Sequence, residues 1–534
     1  MSKKEVLSFD PNHLSQQGIK YLNEGNFDKS KEIFSQLIIH FPDNTDLLNL
    51  LGFVNLQLHS YDESYEAYTK SIEINPNQVE VFFNRAIVGT ALKKLNDAIK
   101  DYAVVLSHNP KNMDALINQS VAYQDIQNYE EGLKLVNIAL SYNPNNFKAL
   151  SNRGNLYQNL FRYKEAIVDF ELAIQLEPGI LETYVNKGNS LKFIGKLTEA
   201  AEAFEEALAI DKNNASAQFH YSILLLSQKK FTDGWKKYKF RKELKFFNPP
   251  TFTSNIKNCM NLDNKNSSFV LWGEQGVGDQ IIYASMLGNL KEYKNITIAL
   301  DARLIDLFSR SFEGIKFITF EDVNNLSKID YQMPFADLGY FYRNELSDFR
   351  NNIKPFLFSD KKKMAEYKKK ISKKDKLICG ISWKSHNKTI GHSKSITLKD
   401  LVPILECDNL SFVDLQYGDT SEERSTLKDK NNINIQKLAS VDNYNDLDSL
   451  AALIDACDIV LTVSNVTAHL AGALGKKTYL MVPCGVGSMW YWHRDDHQSL
   501  WYPSVEMFRQ DEPQGWSGVI GDILRKIQTR NTVN

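Results

Sequence analysis

The sequence predicts a helical repeat array followed by an α/β region of two lobes. Two observations carry this. Prolines recur every 34 residues through the first half, at Pro42, Pro76, Pro110, Pro144 and Pro178. Beyond residue 268 the period is lost, and short apolar runs alternate with amphipathic stretches, the pattern of parallel strands and their crossover helices. At 534 residues the chain exceeds what one core supports, so several domains are expected.

Composition narrows the classes. With 43% hydrophobic and 24% charged residues and a net charge of -2, nothing points to a nucleic-acid or membrane-surface binder. Cys259, Cys379, Cys407, Cys457 and Cys484 are scattered with no CxxC pair, which fits reduced thiols rather than a disulfide frame or zinc site. The first residues, MSKKEVLSFDPNHLSQQ, hold no apolar run, and no segment approaches the ~18 apolar residues of a membrane span. The expectation is a cytoplasmic protein without an integral membrane segment.

Behind each proline the same helix pair recurs. Small residues stand in register at Gly18, Gly52, Ala86, Ser120, Gly154, Gly188 and Ser222. A second small set is Ser30, Ser64, Ala98, Gly132, Ala166, Ala200 and Gly234. An aromatic follows four residues later at Phe34, Tyr68, Tyr102, Phe170, Phe204 and Tyr238, with Val136 the exception. Small residues let paired helices approach, the aromatic fills the gap, and proline stops the second helix. The pattern resembles the tetratricopeptide repeat, in about seven units within residues 1–248.

The resemblance implies a protein or peptide ligand in a concave groove. Asn84, Asn118, Asn152 and Asn186 occupy one point of the first helix in four successive units. A side-chain amide donates and accepts together, which suits an extended peptide backbone. A similar ladder holds acceptor peptides in protein O-GlcNAc transferases; asparagine is also common at this repeat position, and both readings stand. The last unit carries Trp235, Tyr238 and Phe240, suited to docking on the next domain, among Lys236, Lys237, Lys239 and Arg241.

Residues 249–268, which open with Pro249-Pro250, form a linker. A first Rossmann-like lobe is expected over 269–355, with strands at 269–272, 296–300, 315–320 and 329–333. A lysine-rich helix connects it over 356–376. The second lobe, 377–534, has strands at 377–383, 411–416, 433–438, 458–463 and 478–482, helices at 397–406, 446–456 and 466–475, and a C-terminal helix. Two such lobes enclose a cleft lined by the carboxyl ends of their strands.

Four segments fall at those ends. In FVLWGEQGVGDQ a strand runs into a glycine turn and a helix, bringing Gly276, Gly278 and Asp279 to the mouth; Asp279 reads as a helix N-cap or as a reactive carboxylate. After strand 377–383 come Ser382, Trp383, Lys384, Ser385, His386, Lys388, His392 and Lys394, a basic loop able to meet phosphate or simply to face solvent. In TVSNVTAHLAGALGKK a strand ends at Ser464 and Asn465 and a helix starts at once. Ser464, Asn465 and Thr467 can cap it, and its free N–H groups favour a diphosphate. His469, one turn in, reads as a donor to an oxygen or as a packing histidine. The fourth, Pro483–Arg509, joins Trp490, Trp492, Trp501 and Tyr502 with His493, Arg494, Asp495 and Asp496, either as core or as a sugar or base platform. Only loose acidic pairs occur, so no obligatory metal is expected.

WGEQGVGDQIIYASML, LDSLAALIDACDIVLTVSNVTAHLAGALGK and RDDHQSLWYPSVEMFRQ together resemble the bacterial tetratricopeptide-containing glycosyltransferases, whose catalytic half is similar to the heptosyltransferase family. Flagellin glycosyltransferases share the plan. The resemblance implies a tetratricopeptide-repeat superhelix followed by a GT-B fold of two Rossmann-like lobes. It also implies metal-independent transfer from a nucleotide sugar to a protein acceptor. By this resemblance Asp279 is the general base. Gly276, Gly278, Trp383, Lys384, Ser464, Asn465, Thr467 and His469 serve the donor. The heptosyltransferase Asp-Thr-Gly-like turn is replaced here by Ser464-Asn465-Val466, a departure that bears on the donor. A glycan or lipopolysaccharide-core transferase and a non-catalytic scaffold are the competing expectations.

Overall fold

The computed structural model describes residues 10–531 apart from 253–255, 260–261, 263, 327–328, 351–353, 388–389 and 514. The chain divides into two compact units, Met1–Ser190 and Leu191–Asn534.

In the first unit helix pairs begin at Pro11, Thr45, Val79, Met113 and Phe147, 34 residues apart. Each second helix ends two residues before a periodic proline, and the residue between leaves the helical region, as at Asn75 (φ -131°, ψ 100°), because the proline ring excludes that region there. The turn inside each pair holds one residue in the left-handed region: Gly25, His59, Lys93, Gln127 and Phe161. Small residues have the role expected of them. A Cβ built on Gly18, Gly52 or Gly154 would lie 2.8, 2.6 or 2.5 Å from the buried rings of Phe34, Tyr68 and Phe170. Two half-buried forks, Arg85 to Asp101 and Arg153 to Asp169, occupy the same place two repeats apart.

In the second unit the helices Ala215–Ser227 and Phe231–Tyr238 share a core with the α/β region, and Leu197–Ile210 precedes them. The aromatic end of the last repeat is the reason. Trp235 is 3% exposed, its Nε1–H donates to the Arg343 carbonyl at 2.8 Å, and its ring covers Gly339, where a Cβ would lie 2.4 Å from it.

Lobe one is a parallel sheet of β1 (Lys257–Asn258), β2 (Ser268–Trp272), β3 (Asn295–Ala299), β4 (Lys316–Ile318) and β5 (Tyr331–Pro334), in the order β1-β5-β2-β3-β4. The helix Lys361–Ile371 follows. Lobe two is parallel as well. Its strands are β6 (Leu377–Ser382), β7 (Leu410–Asp414), β8 (Ile435–Gln436), β9 (Ile459–Val463), β10 (Thr478–Val482) and β11 (Val505–Arg509), in the order β11-β10-β9-β6-β7-β8. Strand order reverses between β2 and β5 in the first sheet and between β6 and β9 in the second. These are the places where open α/β sheets leave a crevice. The carboxyl ends of β2, β6 and β9 carry three of the four segments singled out above.

Some elements differ from expectation. β1 lies in the segment read as linker, and β11 pairs with β10 over five residues inside the stretch read as a possible platform. The helix expected over 397–406 is confined to Val402–Leu405, where Pro403 takes a first-turn position. The helix Ser421–Asn431 was not foreseen, because its charged sequence leaves Leu427 as its one buried residue. No helix among the described residues is long and apolar enough to cross a membrane.

Close helix approach in the array sets a first prediction. Gly154→Val forces a branched side chain into the space of Phe170 and is expected to cost about 1–3 kcal/mol, read as a lowered thermal midpoint. An unchanged midpoint would contradict the packing.

Candidate functional site

The glycine turn after β2 is tightly specified. Gly273 N–H donates to the Ala299 carbonyl at 2.7 Å. Its missing side chain makes room for Gln280, which would stand 2.6 Å from a Cβ and accepts from the Asp301 N–H at 3.0 Å. Gln275 adopts a left-handed φ of 59°. Gly276 then caps the helix Val277–Ala284. Asp279 is therefore the third helical residue and not the cap. Its Oδ2 reaches back to accept from the Gly276 N–H at 3.1 Å.

Asp279 is half-buried. Burial pushes its carboxyl up to about 6; the Gly276 N–H and the Lys394 cation oppose the rise, and the Glu274 charge adds to it. Lys394 ends the short helix Gly391–Lys394 in lobe two and is 6% exposed. Burial pulls its ammonium down to about 8, against the stabilising charge of Asp279. His469 lies in the helix Val466–Ala473. Its Nδ1 is 3.1 Å from the Tyr502 hydroxyl, and its ring stacks on Trp492 with centroids 5.2 Å apart. Burial, reinforced by Lys394, drives this histidine down to about 3, so it is neutral at ordinary pH. A Cβ on Gly278 would lie 2.8 Å from the His469 ring, so the bare glycine admits the imidazole. The carboxylate of Asp279 in lobe one thus acts electrostatically with the buried Lys394 of lobe two, and the neighbouring Gly278 packs on the neutral His469. Tyr238, Tyr283, Tyr491 and Tyr502, all buried, also act electrostatically with Asp279.

The other residues singled out from sequence fall elsewhere in the same region. Trp383 is wholly buried, and its Nε1–H donates to Glu423 at 3.2 Å. Lys384 pairs with Glu423 at 2.7 Å. Ser464 accepts from the Trp492 Nε1–H at 2.9 Å. Asn465 caps its helix by accepting from the Thr467 N–H at 3.0 Å, while its Nδ2 donates to Ser382 Oγ at 2.7 Å and to the Lys384 carbonyl at 3.1 Å. These bonds tie the ends of β6 and β9 together. Thr467 is 1% exposed, with a buried Oγ1 that meets no partner among the described residues. Gly276 is exposed. Lys388 lies outside the described residues. Asn84, Asn118, Asn152 and Asn186 are half-buried in the repeat unit. Asn186 Nδ2 donates to Asn155 at 2.9 Å, and Asn118 hydrogen-bonds the Tyr102 hydroxyl.

Sequence reasoning placed Lys394 only as one member of a basic run. What sets it apart is burial, which no local pattern encodes. Tyr491 carries no local signal that sets it apart from the tryptophans beside it.

The profile described as tetratricopeptide repeat matches residues 16–79, 147–179 and 181–214. The fold and these matches define a chain that joins a tetratricopeptide-repeat, protein-binding scaffold to an α/β region. Among curated proteins it is similar to Protein FlbA of Caulobacter vibrioides, 26% identical over 333 residues, which cover 59% of this chain and 55% of that protein. The chain thus spans about half the length of the curated relative it matches. Among solved structures it is similar to a tetratricopeptide repeat protein of Parabacteroides merdae, at 20% identity and a TM-score of 0.40, covering 44% of this chain and 93% of that one. It is also similar to MamA, at 22% identity and a TM-score of 0.29, covering 31% and 96%.

Two substitutions separate the roles at the second lobe. Asn465→Ala strands several buried partners and is expected to cost about 1–3 kcal/mol. Lys384→Met removes a partly exposed pair and is expected to cost about 1 kcal/mol or less. Denaturant unfolding of both variants checks the contrast.

Proposed function

We propose that this chain is a metal-independent, inverting glycosyltransferase whose repeats recruit a protein acceptor to a nucleotide-sugar donor. The observation that supports it best is Asp279, with a carboxyl near 6, set opposite the buried Lys394. A base with such a pKa is ionised at neutral pH and still able to take a proton. In the proposed step the acceptor hydroxyl attacks the anomeric carbon of the donor as Asp279 takes its proton. The new glycosidic bond forms while the bond from that carbon to the phosphate oxygen breaks. The nucleotide leaves with the electron pair, and Lys394 offsets its charge. A single displacement inverts the anomeric centre. Because His469 is neutral, Lys394 is the cation beside the carboxylate.

The likeness to FlbA is not confined to the repeats: an alignment of 333 residues is longer than the whole array, so it extends into the α/β half. A second reading, a scaffold without catalysis, is favoured by one fact. Trp383, Ser464 and Asn465 direct their polar groups to other protein groups. A thermal-shift panel of nucleotide sugars separates the two, because a donor at a hundred times its Kd stabilises the fold by about 2.7 kcal/mol. If no donor shifts the midpoint, the scaffold reading stands. Mass spectrometry then distinguishes a protein acceptor, modified on Ser or Thr, from a glycan or lipopolysaccharide core.

With the active donor, Asp279→Asn is expected to lower kcat by about 10²–10⁴, and transfer at the wild-type rate would sink the proposal. The pH profile follows from signs. Asp279 must be ionised, so the rate falls as pH drops through about 6. Lys394 must be charged, so the rate falls again as pH rises through about 8. Lys394→Arg keeps the charge at all working pH and is expected to remove the alkaline limb.

A further inference from the structure

The turn that sets Asp279 is held from outside its own lobe. After the helix Phe231–Tyr238, the segment Lys239–Glu243 forms a single tight turn. Its Arg241 is fully buried. The guanidinium forks onto Glu274, Nε to Oε2 at 2.7 Å and the second nitrogen to Oε1 at 2.5 Å, and bonds Asp337 at 2.8 Å. The Ala336 N–H donates to Glu274 Oε1 at 3.1 Å. The neighbouring residue of the turn, Gln275, donates from Nε2 to the Tyr238 hydroxyl at 3.1 Å. Glu274 and Gln275 are thus both fixed by the last repeat, and Gln275 is the left-handed residue of the turn.

We propose that Arg241 is a positioning residue: through Glu274 it holds the turn 273–276 in the geometry that sets Asp279 opposite Lys394, so the last repeat is part of the site. Packing alone does not require this pair. A buried ion pair is weak as a source of stability, because desolvation cancels most of its attraction. What a forked pair supplies is direction, since a planar guanidinium fits a carboxylate in one orientation. The pair also acts on Asp279 through charge. The groups that face Asp279 are Glu274, Lys394, Tyr238, Tyr283, Tyr491 and Tyr502, and Glu274 works against its ionisation. Arg241 masks that carboxylate.

The proposal rests on reading Asp279 as the base, but its first test does not. Hydrogen exchange by mass spectrometry is compared for the full chain, Arg241→Met, Arg241→Lys and the double variant Arg241→Met/Glu274→Met. The double variant leaves no buried charge unpaired and so keeps the fold should the single one lose it. In Arg241→Met and the double variant, segment 273–284 is expected to exchange about tenfold faster or more, with segment 458–473 of lobe two unchanged. Arg241→Lys, which keeps the charge and loses the fork, is expected to fall between. Wild-type exchange of 273–284 in a folded double variant overturns the proposal, as does faster exchange spread over both segments. The second test uses the donor found by thermal shift. Arg241→Met is expected to lower kcat about tenfold with the acceptor KM little changed. It should also move the acid limb upward from about 6, and Glu274→Gln in that background should bring it back. An unmoved limb overturns the electrostatic part. Local loosening without turnover of any donor leaves the positioning role standing and sinks the transferase reading instead.

Discussion

The glycine turn of the second unit depends on one buried cation. Arg241, at the end of the repeat helices, sits with no exposed surface between Glu274 of the glycine turn and Asp337 beyond β5. Removing one partner of such a group typically costs about 3–5 kcal/mol, because the other charge is left dry and alone. The turn after β2, the Asp337 turn beyond β5 and the last repeat are therefore tied to one another through this side chain. Around this knot, Trp235 over Gly339, its edge-on contact with Trp490 at 5.5 Å and the Lys229–Asp496 pair at 2.7 Å bring both lobes against the same repeat helices.

The array obeys a different physics. Its stability comes from a unit repeated every 34 residues, in which a missing Cβ and a buried ring meet again and again. Each unit is supported by its neighbours, so no single contact decides the fold. The last pair departs from that scheme because its outer face has an α/β core to join. The compact units part at Ser190 and Leu191, within the helix Leu181–Phe193 and well before the repeats end.

At the cleft, low exposure does the chemical tuning. Burial raises Asp279, lowers Lys394 and keeps His469 neutral, all through one cause: the charged forms lose water. The opposite charges of Asp279 and Lys394 moderate each other's shifts. A carboxylate and an ammonium brought together from two lobes are therefore both near their switching points at neutral pH.

The sequence by itself determined the helix pairs, their period, the proline stops and the parallel strands of both lobes apart from the edge strands β1 and β11. Each of these is written in local patterns, where a proline ring, a bare glycine or an apolar run acts on residues a few positions away. It also placed Asp279 and the Ser464–His469 segment at strand ends. It misjudged the cap, because Gly276 and Asp279 both suit that place and only the backbone path selects between them. The tertiary structure alone decided that Lys394 acts on Asp279, that Asn465 knots β6 to β9, and that Arg241 bonds Glu274 of the glycine turn. These pairings join residues far apart in the chain, and a lysine or arginine in a basic run looks the same whether it ends in water or in a core. Its meaning is set by what excludes water around it, and that is a property of the assembled lobes.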